Sequence, residues 1–242
     1  MKKLLILMLL TPMVLMAKIP DEEYIQQKIA DEESELYYPN LMLRFRSGDP
    51  SLTVEEMHYL YYGYAYQTEY RPLATNNSFD KVLLLASSLD ADNPSQSMLD
   101  SIIIATNEAL ELNPFSPNLW NLLAYAYGAL GDTVREKMAY DRTELILSVI
   151  DNSGSGLKER NPKHIIMFDH AIDLLTSQGI SYLDAKVISR TVEYIPFTEA
   201  LRDKNLDKKI KGLYFDYGRI YWNKPSHEDR PKRDRRWQIN GI

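Results

Sequence analysis

Residues 107–140, NEALELNPFSPNLWNLLAYAYGALGDTVREKMAY, restrict the possible folds of this chain more than any other stretch. Trp120, Leu123, Ala124 and Tyr127 recur at i, i+3, i+4 and i+7, one stripe of an α-helix. Leu119, Leu122, Ala126 and Ala129 form a second apolar stripe, so this helix must be covered on two sides. Ser116 is a fair N-cap, and Pro117 sits in the first turn, where a missing N–H costs nothing. Gly131 can take the left-handed turn past the helix end. Thr133 and Glu136 then have capping-box spacing and open the next helix at once. A pair of helices joined by a tight corner follows, with the first helix in the middle of a stack.

In spacing this pair resembles the tetratricopeptide repeat, whose first helix carries a large aromatic, a Leu, a small residue and a Tyr before a Gly-acidic turn. Trp120, Leu123, Ala124, Tyr127, Gly131 and Asp132 match that pattern, and Ala109, Leu110, Leu112 and Pro114 match the end of a preceding repeat. Glu136 and Thr143 depart from it, and no proline closes the second helix near Ser148. Upstream, MHYLYYGYAYQ places Tyr59, Tyr62, Gly63 and Tyr66 at the same spacing, as a degenerate second repeat. Gly63 within a helix loses about 1 kcal/mol against Ala, which a closely approaching neighbouring backbone would explain.

The resemblance implies a concave groove lined by the first helix of each pair. Asn118, Asn121 and Tyr125 fall on that side as one polar line, with Tyr64 and Gln67 as the counterparts in the degenerate repeat. Amides and phenols suit an extended peptide backbone or sugar hydroxyls. The basic clamp that such repeats use for a peptide carboxylate is absent. Tyr59, Tyr62 and Tyr66 are expected in the core, whereas Tyr64 lies off their stripe.

The remaining chain frames this element. Lys2 and Lys3, an apolar run over 4–16 and Ala17 read as an export signal, and the run is too short to span a bilayer. The chain has no cysteine, which excludes disulfides, thiolate nucleophiles and cysteine-ligated metals. A net charge of -6 argues against a nucleic-acid binder of the usual basic kind.

Residues 21–36 read as a solvated leading helix. YYPNLMLRFRSGD reads as a helix packing Leu41, Met42 and Phe45 and ending at Gly48; Thr53 and Glu56 form a capping box stapled by Leu52 and Met57. Helices over 82–89 and 98–112 follow, on either side of a breaker at 92–94. Ser153, Gly154, Ser155 and Gly156 make a turn without the Lys and Ser/Thr of a phosphate loop. Beyond it, 171–175 reads as a short helix, 186–195 as a strand stopped by Pro196, and 212–222 as the clearest strand.

The expected fold class is thus α+β. A helical, tetratricopeptide-like irregular repeat domain spans 21–150, a small α+β domain spans 157–224, and a basic tail spans 225–242. The segments YYPNLMLRFRSGDPSLT, LYYGYAYQTEYRP, LELNPF and GLYFDYGRIYW, in that order after an export signal, resemble an uncharacterised secreted family of Bacteroidetes, a domain of unknown function.

Among the histidines, His58, His164, His170 and His227, His170 has Asp173 as a helical neighbour and Asp169 beside it, so these three could form a small polar cluster. These three residues are the one candidate acid-base cluster for an envelope hydrolase. The leading expectation is a non-enzymatic exported binder of an envelope protein or peptide, in the periplasm or secreted. It needs no cofactor and no metal, and it has neither a nucleic-acid partner nor a transmembrane anchor. A glycan-binding module using Tyr64 and Tyr125 as platforms is the alternative.

Overall fold

The computed structural model describes residues 18–203 and 208–221. The expected export signal at 1–17 and the expected basic tail at 225–242 lie outside the described residues. Eight α-helices precede and flank a four-stranded mixed sheet, an α+β fold.

α1 (Glu22–Ala30) is capped by the Asp21 carboxylate, which accepts from the Tyr24 N–H. It is no solvated leading helix, because Ile25 and Ile29 are buried against α3. Two isoleucines one turn apart suffice to dock a helix this short. α2 (Tyr38–Ser47) ends where Gly48 takes φ 73°. α3 (Val54–Gly63) starts at the Thr53–Glu56 capping box and runs into a 3₁₀ turn, Tyr64–Tyr66. At Gly63 an added Cβ would lie 3.1 Å from an Ile29 methyl and 3.3 Å from the Tyr38 ring, so side chains of two helices, not a backbone, require the glycine.

α4 (Asn77–Ser87) packs on α5 (Gln96–Leu110), α5 on α6 (Pro117–Ala129), and α6 on α7 (Thr133–Asp151). The Ser116 hydroxyl accepts from the Leu119 N–H, as its N-cap position requires. Gly131 takes φ 78°. Thr133 is not the next cap: the Asp132 carboxylate accepts from the Arg135 N–H and Thr133 is the first helical residue. A carboxylate is the stronger acceptor at a helix N-terminus. Both stripes of α6 are covered, apart from Ala129 at its exposed end.

The Ser-Gly turn is structural. A Cβ on Gly154 would collide with the Pro162 carbonyl at 1.8 Å, and the Gly156 N–H donates to the Asn161 carbonyl. β1 (Lys163–His164) runs parallel to β4 (Lys208–Asp216), which pairs antiparallel with β3 (Val192–Asp203), and β3 with β2 (Lys186–Val187), in the order β1-β4-β3-β2. The stretch 186–195, expected as one strand, folds back on itself as β2 and the start of β3, and Pro196 does not stop β3. It sits opposite Gly212 beside an irregularity in register, where a residue without an N–H is tolerated. Leu213 and Phe215 of β4 are buried, as alternation predicts, and Tyr217 just past its end continues the pattern; the strand expected over 212–222 nonetheless stops at Asp216, and Gly218–Tyr221 form a 3₁₀ turn. α8 (Asp169–Ser177) covers the junction between α6, α7 and β1.

One buried cluster holds residues from both sides of the 152–156 turn, from Ile25, Phe45, Tyr61 and Phe115 to Ile166, Leu175, Phe215 and Ile220. The turn therefore marks a change from helices to sheet within a continuous core. Among the described residues no helix is long and apolar enough to cross a membrane.

Candidate functional site

The corner between α5 and α6, Asn113-Pro114-Phe115-Ser116-Pro117, is pinned from below. Phe115 is fully buried and meets the rings of Phe45, Tyr61 and Tyr64. Its anchoring presents the first turn of α6 to α8. The Asp173 carboxylate accepts the Asn118 N–H at 3.3 Å, and the Asp169 carboxylate accepts from the Asn113 amide at 3.2 Å. One carboxyl thus takes up a free N–H of the helix start.

Above this contact α6, α7 and α8 enclose a depression of about 490 Å³. Asn118 and Asn121 line it from α6, Tyr140, Thr143, Glu144 and Leu147 from α7, and Ile172, Asp173, Thr176 and Ser177 from α8. A second depression of about 500 Å³ adjoins it, lined by Asn121, Tyr125, Glu136, Lys137 and Tyr140 among others. Asn121 and Tyr140 belong to both, so the two form one groove along α6 and α7. Asn118 to Tyr125 rises roughly 10 Å, the length of about three residues of extended chain.

Three of the five expected binding residues therefore stand together: Asn118, Asn121 and Tyr125. Tyr125 offers its ring alone, since its hydroxyl donates to the Ala91 carbonyl at 3.1 Å. Tyr64 and Gln67 do not join them. Tyr64 is 2% exposed, donates to the Glu69 carbonyl at 3.2 Å, and packs edge-on against Tyr70 and Phe115, with burial pushing its phenol up to about 12. The α3 helix tightens to 3₁₀ at Tyr64, which turns an off-stripe position into the core. Gln67 is half-buried and spends its amide on the Gly63 carbonyl. The α7 wall, Tyr140 and Glu144, went unread in the sequence. Its signal was the polar i, i+3, i+7 spacing of Lys137, Tyr140 and Glu144 on a helix already recognised.

The candidate acid-base cluster is not brought together. His170 is fully buried, its Nδ1 is 2.7 Å from the Tyr61 hydroxyl, and burial holds its imidazole below the usual range. Asp169 and Asp173 point instead to the α5–α6 corner. Burial, with the neighbouring Asp169 charge, pushes the Asp173 carboxyl up to about 7.

These groups make opposing contributions to acid stability. His58 is lowered to about 4 by burial, and His164 and His170 are lowered for the same reason. The unfolded chain takes up those protons first, so their contribution, complete above pH ~6.5, is lost as pH falls towards 4. Asp173 works the other way: its contribution is complete below pH ~4 and is lost as pH rises through 7. Asp173→Asn is therefore expected to raise stability at pH 8 by about 1–3 kcal/mol, a figure kept low because the carboxyl, though largely buried, keeps some contact with water. It should leave stability unchanged at pH 4. Urea melts across that range would show a gain that grows with pH; a uniform gain, or a loss at pH 8, contradicts this account.

A largely helical chain with a small mixed sheet set into the same core, with a polar groove along three of its helices, defines an α+β protein. The chain belongs to the DUF4919 family, a domain of unknown function, which it matches over residues 23–225. No curated protein and no solved structure gives a significant match.

Proposed function

We propose that this chain is an exported, non-enzymatic interaction protein that holds an extended protein or peptide segment in the groove between α6, α7 and α8. The observation that carries this reading is the alignment of Asn118, Asn121 and Tyr125 along two depressions joined at Asn121 and Tyr140. Exposed side-chain amides and hydroxyls on walls that also present Leu147 and Ile172 suit a backbone with alternating side chains. The tetratricopeptide-like spacing of Trp120, Leu123, Ala124 and Tyr127 supports the reading, and the export signal at 1–17 supports an envelope or secreted location. A glycan-binding role is the weaker reading, because one of its two ring platforms, Tyr64, is buried.

The test is capture of a soluble octapeptide library by the immobilised chain. Asn121→Ala with Tyr140→Ala is expected to reduce capture about 10-fold or more, since both side chains serve both depressions. Tyr64→Phe should capture as the wild type does. Equal capture by the double variant and the wild type would remove the groove from the binding role.

A further inference from the structure

We propose that Asp173 forms a subsite for a positively charged side chain, lysine or arginine, of the segment held in the groove. This inference rests on the peptide-binding reading above and gives it a ligand chemistry.

The argument is one of charge in a confined space. The ionisable groups lining the first depression are Asp173, Glu144 and Tyr140; no lysine or arginine lines it. From α6 only the amides of Asn118 and Asn121 reach it, and on α8 the neighbouring titratable groups are Asp169, another acid, and His170, which faces the core. The one lysine of the adjoining depression, Lys137, is spent on Asp141 at 2.6 and 2.8 Å. Among the described residues neither Asp173 nor Glu144 takes part in an ion pair.

What the fold supplies to Asp173 is one backbone N–H at 3.3 Å, a long bond that leaves most of the carboxylate's acceptor capacity open to the groove. The groove has taken water away from this carboxyl without supplying a counter-charge, and its raised pKa is the consequence. A ligand cation restores the charge that burial disfavours, and Ile172 and Leu147 offer apolar surface for the methylene stem of a lysine or arginine. A neutral sugar or an uncharged side chain cannot do this, and an acidic one adds repulsion.

The experiment uses the full chain against a positional-scanning octapeptide library at about pH 8 and low ionic strength. One library position is expected to favour Lys or Arg over Gln by about 10-fold, with Asp and Glu depleted there. Asp173→Asn should capture the library still, with that preference cut to about 2-fold or less. The preference should also shrink as salt is added and as the pH falls to about 5.5, where the carboxyl takes up its proton. Capture that depends on Asn121 and Tyr140 but shows no basic preference overturns the Asp173 subsite and leaves the groove reading intact. No capture of any peptide overturns both. A basic preference that survives in Asp173→Asn overturns the assignment to this residue.

Discussion

Trp120→Ala is expected to destabilise the chain by about 3–5 kcal/mol, near the limit for a single aromatic truncation. The indole is not fully buried, yet it touches two of the hydrophobic clusters and so joins the α2–α3 core to the α5–α6 core. Its Nε1–H donates to the Pro114 carbonyl at 2.8 Å, tying the α6 helix to its own entry corner. Its ring meets Phe45 edge-on at 5.8 Å and carries the Arg142 guanidinium at 4.3 Å. Truncation would remove apolar burial, orphan a carbonyl and unstack a cation at once. Trp120→Phe keeps most of the packing and should cost about 1–2 kcal/mol, chiefly the lost hydrogen bond. Chemical denaturation of the two variants beside the wild type checks the pair, and an Ala variant within about 1 kcal/mol of wild type would show that the indole is not the joint.

Arg142→Ala should cost about 2–4 kcal/mol. Arg142 is 4% exposed and, among the described residues, forms no ion pair. It donates instead to the Phe45 carbonyl at 2.9 and 2.7 Å and to the Arg46 carbonyl at 2.6 Å, capping the negative end of α2 from α7. Burial lowers its pKa to about 10, so the site tolerates the charge at a cost. Two quantities therefore compete. Charge-assisted bonds of about 1.5–3 kcal/mol each are lost, while relief from burying a cation returns part of that. Arg142→Met shares both of these effects with Ala and differs in keeping a stem against Trp120 and Phe45, so the two variants together separate the share of the guanidinium from that of the packing. If the bonds dominate, Met and Ala fall together; if packing dominates, Met recovers about half of the loss. Either variant melting as wild type would deny that α2 needs this cap.

The contact between α2 and α7 also shows what a sequence hides. Nothing near Arg142 marks it as a helix cap, since its acceptors lie about a hundred residues away. Long-range pairing of this kind leaves no spacing to read. The same holds for the grip on Glu22, which accepts from the Tyr66 hydroxyl and from Arg219 near the other end of the described chain.

Local chemistry was legible by contrast. Ser116, Pro117 and Gly131 bound α6, Thr53 and Glu56 open α3, and Leu213, Phe215 and Tyr217 alternate along β4 and just past its end, each through interactions within a few residues. Helix type, most helix ends and the α+β class depend on that short range, and so does one wall of the groove. Two departures are local, the cap taken by Asp132 in place of Thr133 and the amide of Gln67 turned back on Gly63; in the others a distant neighbour overrides the local rule. Ile25 and Ile29 found α3, Tyr64 was drawn against Phe115, and Pro196 met Gly212 across a sheet irregularity.

The amino-acid sequence by itself determined most of the helices and the core of β4, and it placed Asn118, Asn121 and Tyr125 on one helical face. Only tertiary packing decided that α7 and α8 complete the groove and that Asp173 stands in it without a counter-charge. The reason is range: caps, stripes and alternation act over a few residues, whereas desolvation and the absence of a partner depend on everything that surrounds a group in space.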